Sequence, residues 1–131
     1  MQVRISRHLV STLMVLACGC SCLQPHPDKG EIQHIVVVWL KEPGNAEARQ
    51  KLIDTSKSFK AIPGLKRISV GPVLPSPLQT VDSTFDVAVV FTFENEQSLR
   101  AYNDNPIHQA AVRDVLQPLA SRFIAYDFRV E

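Results

Sequence analysis

Nine residues, Ile32-Gln33-His34-Ile35-Val36-Val37-Val38-Trp39-Leu40, constrain this chain more than any other stretch. The run is rich in Val and Ile and reads as a strand. Side chains alternate across a strand. Here Ile35, Val37 and Trp39 on one side and Val36, Val38 and Leu40 on the other are all apolar. A strand of this kind belongs to a sheet covered on both faces. If the chain's own helices cover one face, the other is expected to meet a second sheet. Closed twofold pairs are the commonest oligomers, so the simplest expectation is a homodimer packed sheet against sheet.

The rest of the chain supplies the helices. Glu42-Pro43-Gly44-Asn45 breaks the first strand, and Ala46 to Phe59 places Ala48, Leu52, Thr55 or Ser56, and Phe59 at helical spacing. Ile62-Pro63-Gly64 is a turn. Leu65 to Val73 reads as a second strand closed by Gly71-Pro72, as suits a strand end or sheet edge. A polar, proline-containing loop runs to Ser83. Phe85 to Phe93 is the clearest strand, with Phe85, Val87, Val89, Phe91 and Phe93 alternating with their neighbours. Asn95 caps a short helix to Asn103 carrying Leu99 and Tyr102. Asn105 and Pro106 start another, running to about Leu119 with Ala111, Val112, Val115 and Leu119 on one stripe. Arg122 to Val130 is the last strand, with Ile124, Tyr126, Phe128 and Val130 alternating. The order β-α-β-β-α-β predicts an α+β, ferredoxin-like protomer: a four-stranded antiparallel sheet with helices on one face.

The 131 residues suffice for one domain, and their start is a different material from the rest. Arg4, Arg7 and His8 precede an apolar run, Leu9 to Ala17, interrupted only by Ser11 and Thr12; small residues and cysteines follow. This is the pattern of a secretory signal over residues 1–22, and the run is too short for the roughly 20 residues of a spanning helix. Residues 23–30 then form a tether, and residues 31–131 the domain. Val15-Leu16-Ala17-Cys18 resembles the bacterial lipobox, so Cys18 is the expected lipidation site, with Cys20 after Gly19 as the rival. The expected location is the periplasmic side of a bacterial membrane, with the membrane contacted only through the lipid. The alternative is plain cleavage and a secreted or periplasmic chain whose remaining thiols pair. All three cysteines lie in this segment, so the domain has no internal disulfide, cysteine zinc site or thiol nucleophile. The 14 basic and 13 acidic side chains give a net charge of +1. Removal of residues 1–17, with two arginines and no acids, makes it −1. A near-neutral surface argues against nucleic acid as a partner.

Three residues could carry chemistry. His108 falls at the third position of the helix begun by Pro106, where the positive terminus favours neutral imidazole, a form able to act as a general base. Tyr102 lies six residues earlier, and its phenol can donate to a developing enolate oxygen. His34 shares a strand face with Val36 and Val38, so it needs a partner or a cavity water. Each also has a purely structural reading: His108 bonded to backbone at the helix junction, Tyr102 as a core aromatic, His34 as a satisfied core histidine. No ligand-pair spacing supports a metal site through His34, His108 and Asp86. Phosphate-loop, Ser or Cys nucleophile and zincin motifs are not found, and no metal or cofactor is expected.

Several pieces together carry a likeness. They are Ile32-Gln33-His34-Ile35-Val36-Val37, Ile62-Pro63-Gly64-Leu65, Val70-Gly71, Phe85 through Phe93, and Tyr102-Asn103-Asp104-Asn105-Pro106-Ile107-His108. In this order and spacing residues 31–131 resemble the Dabb family, the stress-responsive dimeric α/β-barrel domain. The resemblance implies a ferredoxin-like protomer whose sheet forms a barrel with that of a second copy. Most members of the family have no established activity. A plant member is a polyketide cyclase that closes a ring by an intramolecular aldol-type reaction. It uses a tyrosine and a histidine from the stretch that here holds Tyr102 and His108, and another cavity histidine corresponds to His34. The family's common Tyr-x-x-His-Pro-x-His form has Asn105 here in place of its first histidine. The expectation is therefore a stress-response-type domain that binds a small hydrophobic ligand in the barrel cavity, against His34, Val36, Trp39, Tyr102 and His108. The alternatives are a cofactor-free cyclase or monooxygenase using Tyr102 and His108, and a heat-stable oligomer without ligand.

Overall fold

The structure, a computed structural model, describes residues 26–131. The expected signal segment, Cys18, Cys20 and the start of the tether lie outside the described residues. Among the described residues no helix is long and apolar enough to cross a membrane.

The elements follow in the order β1 (Ile32–Leu40), α1 (Ala46–Ser58), β2 (Leu65–Pro72), β3 (Val87–Phe93), α2 (Glu96–Asp104), α3 (Pro106–Ala111), α4 (Gln117–Leu119) and β4 (Ala120–Arg129). The four strands form one sheet in the order β2-β3-β1-β4, and every pairing is antiparallel. This is the ferredoxin-like arrangement. Side-chain caps set the helix starts. The Asn45 carboxamide accepts from the Ala48 N–H at 3.0 Å, Asn95 from Ser98 at 3.0 Å, and Asn105 from Ile107 at 2.9 Å. The Ile62-Pro63-Gly64 turn depends on its glycine. Gly64 has φ +81°, and a Cβ there would stand 2.4 Å from Ser98 Oγ on α2.

Three boundaries differ from the sequence pattern by more than one residue. The β3 ladder begins at Val87 rather than Phe85. Phe85 packs against Trp39, and the Asp86 carboxylate accepts the N–H groups of Leu40 at 2.8 Å and Gly44 at 2.7 Å, fixing the β1–α1 corner. β4 starts two residues early, because Ala120 still pairs with Leu40 across a register shift. The last helix is not continuous: residues Val112–Leu116 form a π-helical turn between α3 and α4. Pro118 accounts for it, since proline has no N–H and its ring would strike the carbonyl of Asp114 in an α-helix.

The helices cover one face of the sheet. Ile32, Val38 and Leu40 of β1 and Val87, Val89, Phe91 and Phe93 of β3 are buried there. The other face carries Ile35, Val37 and Trp39 of β1 beside Val90 of β3 and Tyr126 and Phe128 of β4. Tyr126 and Phe128 are 55% and 51% exposed. Just before β1, buried Glu31 pairs with Lys66 and Arg67 of β2. Burial pushes the Glu31 carboxyl up, but Lys66, the Asp28 N–H and Arg67 outweigh it and hold it below the usual carboxylate range.

Candidate functional site

A cavity of about 70 Å³ lies between the helix-side face of the sheet and the helices. At 10–15 Å³ per water it is room for about five waters, the space of one small ring. Its walls are apolar: Val36 and Val38 of β1, Val87 and Val89 of β3, Leu52 of α1, and Val112, Val115 and Leu116 of the π-helical turn. Against these stand the polar groups of His34, Tyr102, His108, Thr55 and Ser56. The Ser56 hydroxyl donates to the Leu52 carbonyl at 2.9 Å.

Local structure brings the three polar rings together. On an unbroken helix, residues six apart point about 120° away from each other. The break at Asn105-Pro106 instead folds His108 back onto Tyr102, with ring centroids 4.1 Å apart and planes tilted by 35°. His34 reaches the same place from β1, its ring 6.1 Å from that of Tyr102. Phe59 and Phe91 pack on Tyr102 at 5.8 and 5.5 Å. Tyr102 is only 1% exposed, and burial raises the pKa of its hydroxyl well above the ordinary 10.0. It is a neutral phenol and a proton donor. Burial also lowers the His108 pKa, the Asn103 carbonyl opposing and His34 reinforcing. His108 is thus neutral near pH 7, as its place in the sequence suggests, but burial is the main cause. Its Nδ1 is buried without a hydrogen-bond partner.

Sequence reasoning missed one residue of this site. Asp127 of β4 lies opposite His34 in the antiparallel register, and its Oδ1 is 2.5 Å from His34 Nδ1. A carboxylate only accepts, so Nδ1 holds the proton, and when the imidazole is neutral Nε2 is the acceptor. The Asp127 side chain is 52% exposed against 11% for His34, so the pair links the cavity wall to solvent. The signal was present in the last strand. If Tyr126 and Phe128 face the open side, Asp127 must face the helices; only the β1–β4 register shows that it meets His34.

Two expectations are corrected. Trp39 does not line the cavity, because the two-residue period of β1 turns it to the opposite face from His34 and Val36. Its indole lies under the Arg122 guanidinium, 3.8 Å from the ring centroid, and donates to Thr84 Oγ1 at 2.9 Å. The cavity itself is inside one protomer, under the helices, and not on the open face where two sheets would enclose a barrel. Asp86 sits at the β1–α1 corner, away from both histidines. Among the described residues no group of three His, Cys, Asp or Glu could hold a metal ion.

Solved structures share this fold. A Dabb family protein with a ferredoxin-like fold from Mesorhizobium loti is 28% identical, with a TM-score of 0.62, covering 76% of this chain and 96% of its own. A dimeric ferredoxin-like protein of unknown function from Thermobifida fusca is 25% identical, with a TM-score of 0.64 and coverage of 82% and 97%. A hydroxynitrile lyase from Passiflora edulis, 15% identical with a TM-score of 0.68 and coverage of 79% and 96%, shares the fold alone. No curated protein sequence matches. The profile of the stress responsive A/B barrel domain, Dabb, matches residues 32–130, and the chain belongs to that family.

Proposed function

We propose that this protein binds a small, mainly apolar ligand in the helix-side cavity, with Tyr102, His108 and His34 as its polar anchors and Val36 on the apolar wall. One observation carries the reading: in a cavity walled mainly by apolar side chains, the buried His108 Nδ1 has no hydrogen-bond partner among the described residues. Buried polar groups are normally satisfied, and in the neutral ring Nδ1 is the acceptor left over, so a ligand's hydroxyl group would fill the need. Titration of 4-fluorophenol followed by ¹⁹F NMR tests it. Saturable binding is expected, weakened about tenfold in His108→Phe and less in Tyr102→Phe. An absence of saturable binding would sink the reading.

A second reading is cofactor-free proton-transfer chemistry of the cyclase or monooxygenase kind. The His34–Asp127 pair favours it, because a fixed tautomer leaves Nε2 as a base beside a protonated phenol. Catalysed deuterium exchange at the methylene of phenylacetone, lost in His34→Ala, would support it; exchange at the buffer rate would exclude it for this substrate class.

The open face of the sheet fits a second copy of the chain, packed sheet to sheet, and the similar Thermobifida fusca protein is dimeric. The first 22 residues fit export and lipidation at Cys18, with Cys20 as the alternative, which would hold the dimer at a bacterial membrane. Radiolabelled palmitate incorporation should then disappear in Cys18→Ser; if it persists there and is lost in Cys20→Ser, the rival cysteine is the site.

A further inference from the structure

The cavity is closed unevenly. Val87, Val89, Phe91 and Tyr102, on the β3 side and at the Tyr102 end, are no more than 4% exposed. On the β1 side, Val36 and the π-turn residues Val112, Val115 and Leu116 are only half-buried. Beyond β1 lies only the edge strand β4. The helices pack across β1, β2 and β3, and among the described residues no helix packs broadly on β4. The helix-side positions of β4 are Phe123, Ala125 and Asp127, opposite Val38, Val36 and His34. All three are exposed, Phe123 by 44%. Ala125 thus puts a single methyl beside half-buried Val36, between a phenyl ring and a carboxylate.

We propose that ligands reach the cavity sideways across β4, through a portal with Ala125 as its sill and Phe123 and Asp127 on either side. The inference rests on the ligand-binding reading of the cavity. Under it, the π-helical turn is the upper edge of the opening: Val112, Val115 and Leu116 line the cavity and are half-buried, as are Ala111 and His108 of α3 before them and Thr55 and Ser56 of α1. Phe123 and Ala125 do not line the cavity, so they meet the ligand in passage and not in the bound state. Their size therefore sets the rates of association and dissociation together and leaves affinity nearly untouched.

Exchange of 4-fluorophenol, measured by ¹⁹F line shape on the full chain, separates the possibilities. Ala125→Trp should slow association and dissociation by a common factor of about ten, with Kd unchanged and the amide spectrum preserved. Phe123→Ala should speed both. Ala125→Leu gives the same direction with a smaller effect, and serves if tryptophan disturbs the edge strand. If the unaltered protein binds 4-fluorophenol but these variants exchange at its rate, the portal is elsewhere. A change in Kd with dissociation unchanged would likewise overturn it, by making Ala125 a wall of the bound site. If the unaltered protein binds no 4-fluorophenol, the binding reading fails and the portal with it.

Discussion

On the helix side of the sheet Phe91 and Phe93 of β3 are 2% and 0% exposed, while on its opposite face Tyr126 and Phe128 of the edge strand β4 stand more than half exposed. Both faces carry Val, Ile and aromatic side chains, so composition does not distinguish them. What differs is the neighbour. The helix side is filled within the protomer and holds its core and cavity; the open side is finished only by another surface. β1 serves both, its even positions on the cavity and its odd positions on the open face. The same kind of residue therefore has a different task one position along the strand, and substitutions should separate the tasks.

The largest effect is expected from a charge placed on each face in turn. Val38 is 3% exposed, and Val38→Lys would bury an unpaired ammonium, at a cost that exceeds the usual stability of a domain this size. It should abolish folding, as seen in a lost circular dichroism transition. Val37→Lys, one residue away, should leave the protomer folded and shift light scattering from dimer to monomer. If both variants behave alike, the two faces are not the separate surfaces described here. Phe93→Ala, on the sealed side, should lower the unfolding free energy by about 3–5 kcal/mol in urea titrations. Gly64→Ala should cost about 1–3 kcal/mol, through the positive φ and the collision with Ser98. The smallest effect is acid-dependent. His108 has a folded pKa below its ordinary 6.5, so above that value both folded and unfolded states hold it neutral. As pH falls, the unfolded chain takes the proton first, and the associated stability is lost until the lowered folded pKa is passed. His108→Gln should therefore flatten the stability profile between about pH 7 and pH 5; an unchanged slope would assign it to other groups.

Much of the fold was legible in the chain. The Asn caps, the Pro63-Gly64 turn and the alternation of β1 and β3 act through local chemistry, and local chemistry is written in adjacent residues. Tyr102, His108 and His34 were legible as candidates for the same reason: two flank a helix break and one interrupts an apolar strand face. Asp127 was not, because its meeting with His34 depends on how β4 pairs with β1, a register across 93 positions. The π-helical turn is not legible, because a stripe such as Ala111, Val112, Val115 and Leu119 fits an ordinary helix and only Pro118 speaks against one. The alternation of β1 places Trp39 on the face opposite Val36, away from this cavity.

The most direct test is a crystal of the protein soaked with 4-bromophenol and measured at the bromine absorption edge. The expected result is an anomalous peak in the cavity under the helices, with the phenol oxygen within hydrogen-bond distance of Tyr102 or His108 and the ring against Val36 and Val89. A peak between the open sheet faces, or bromine scattered over the surface with the cavity empty, would contradict ligand binding by this site.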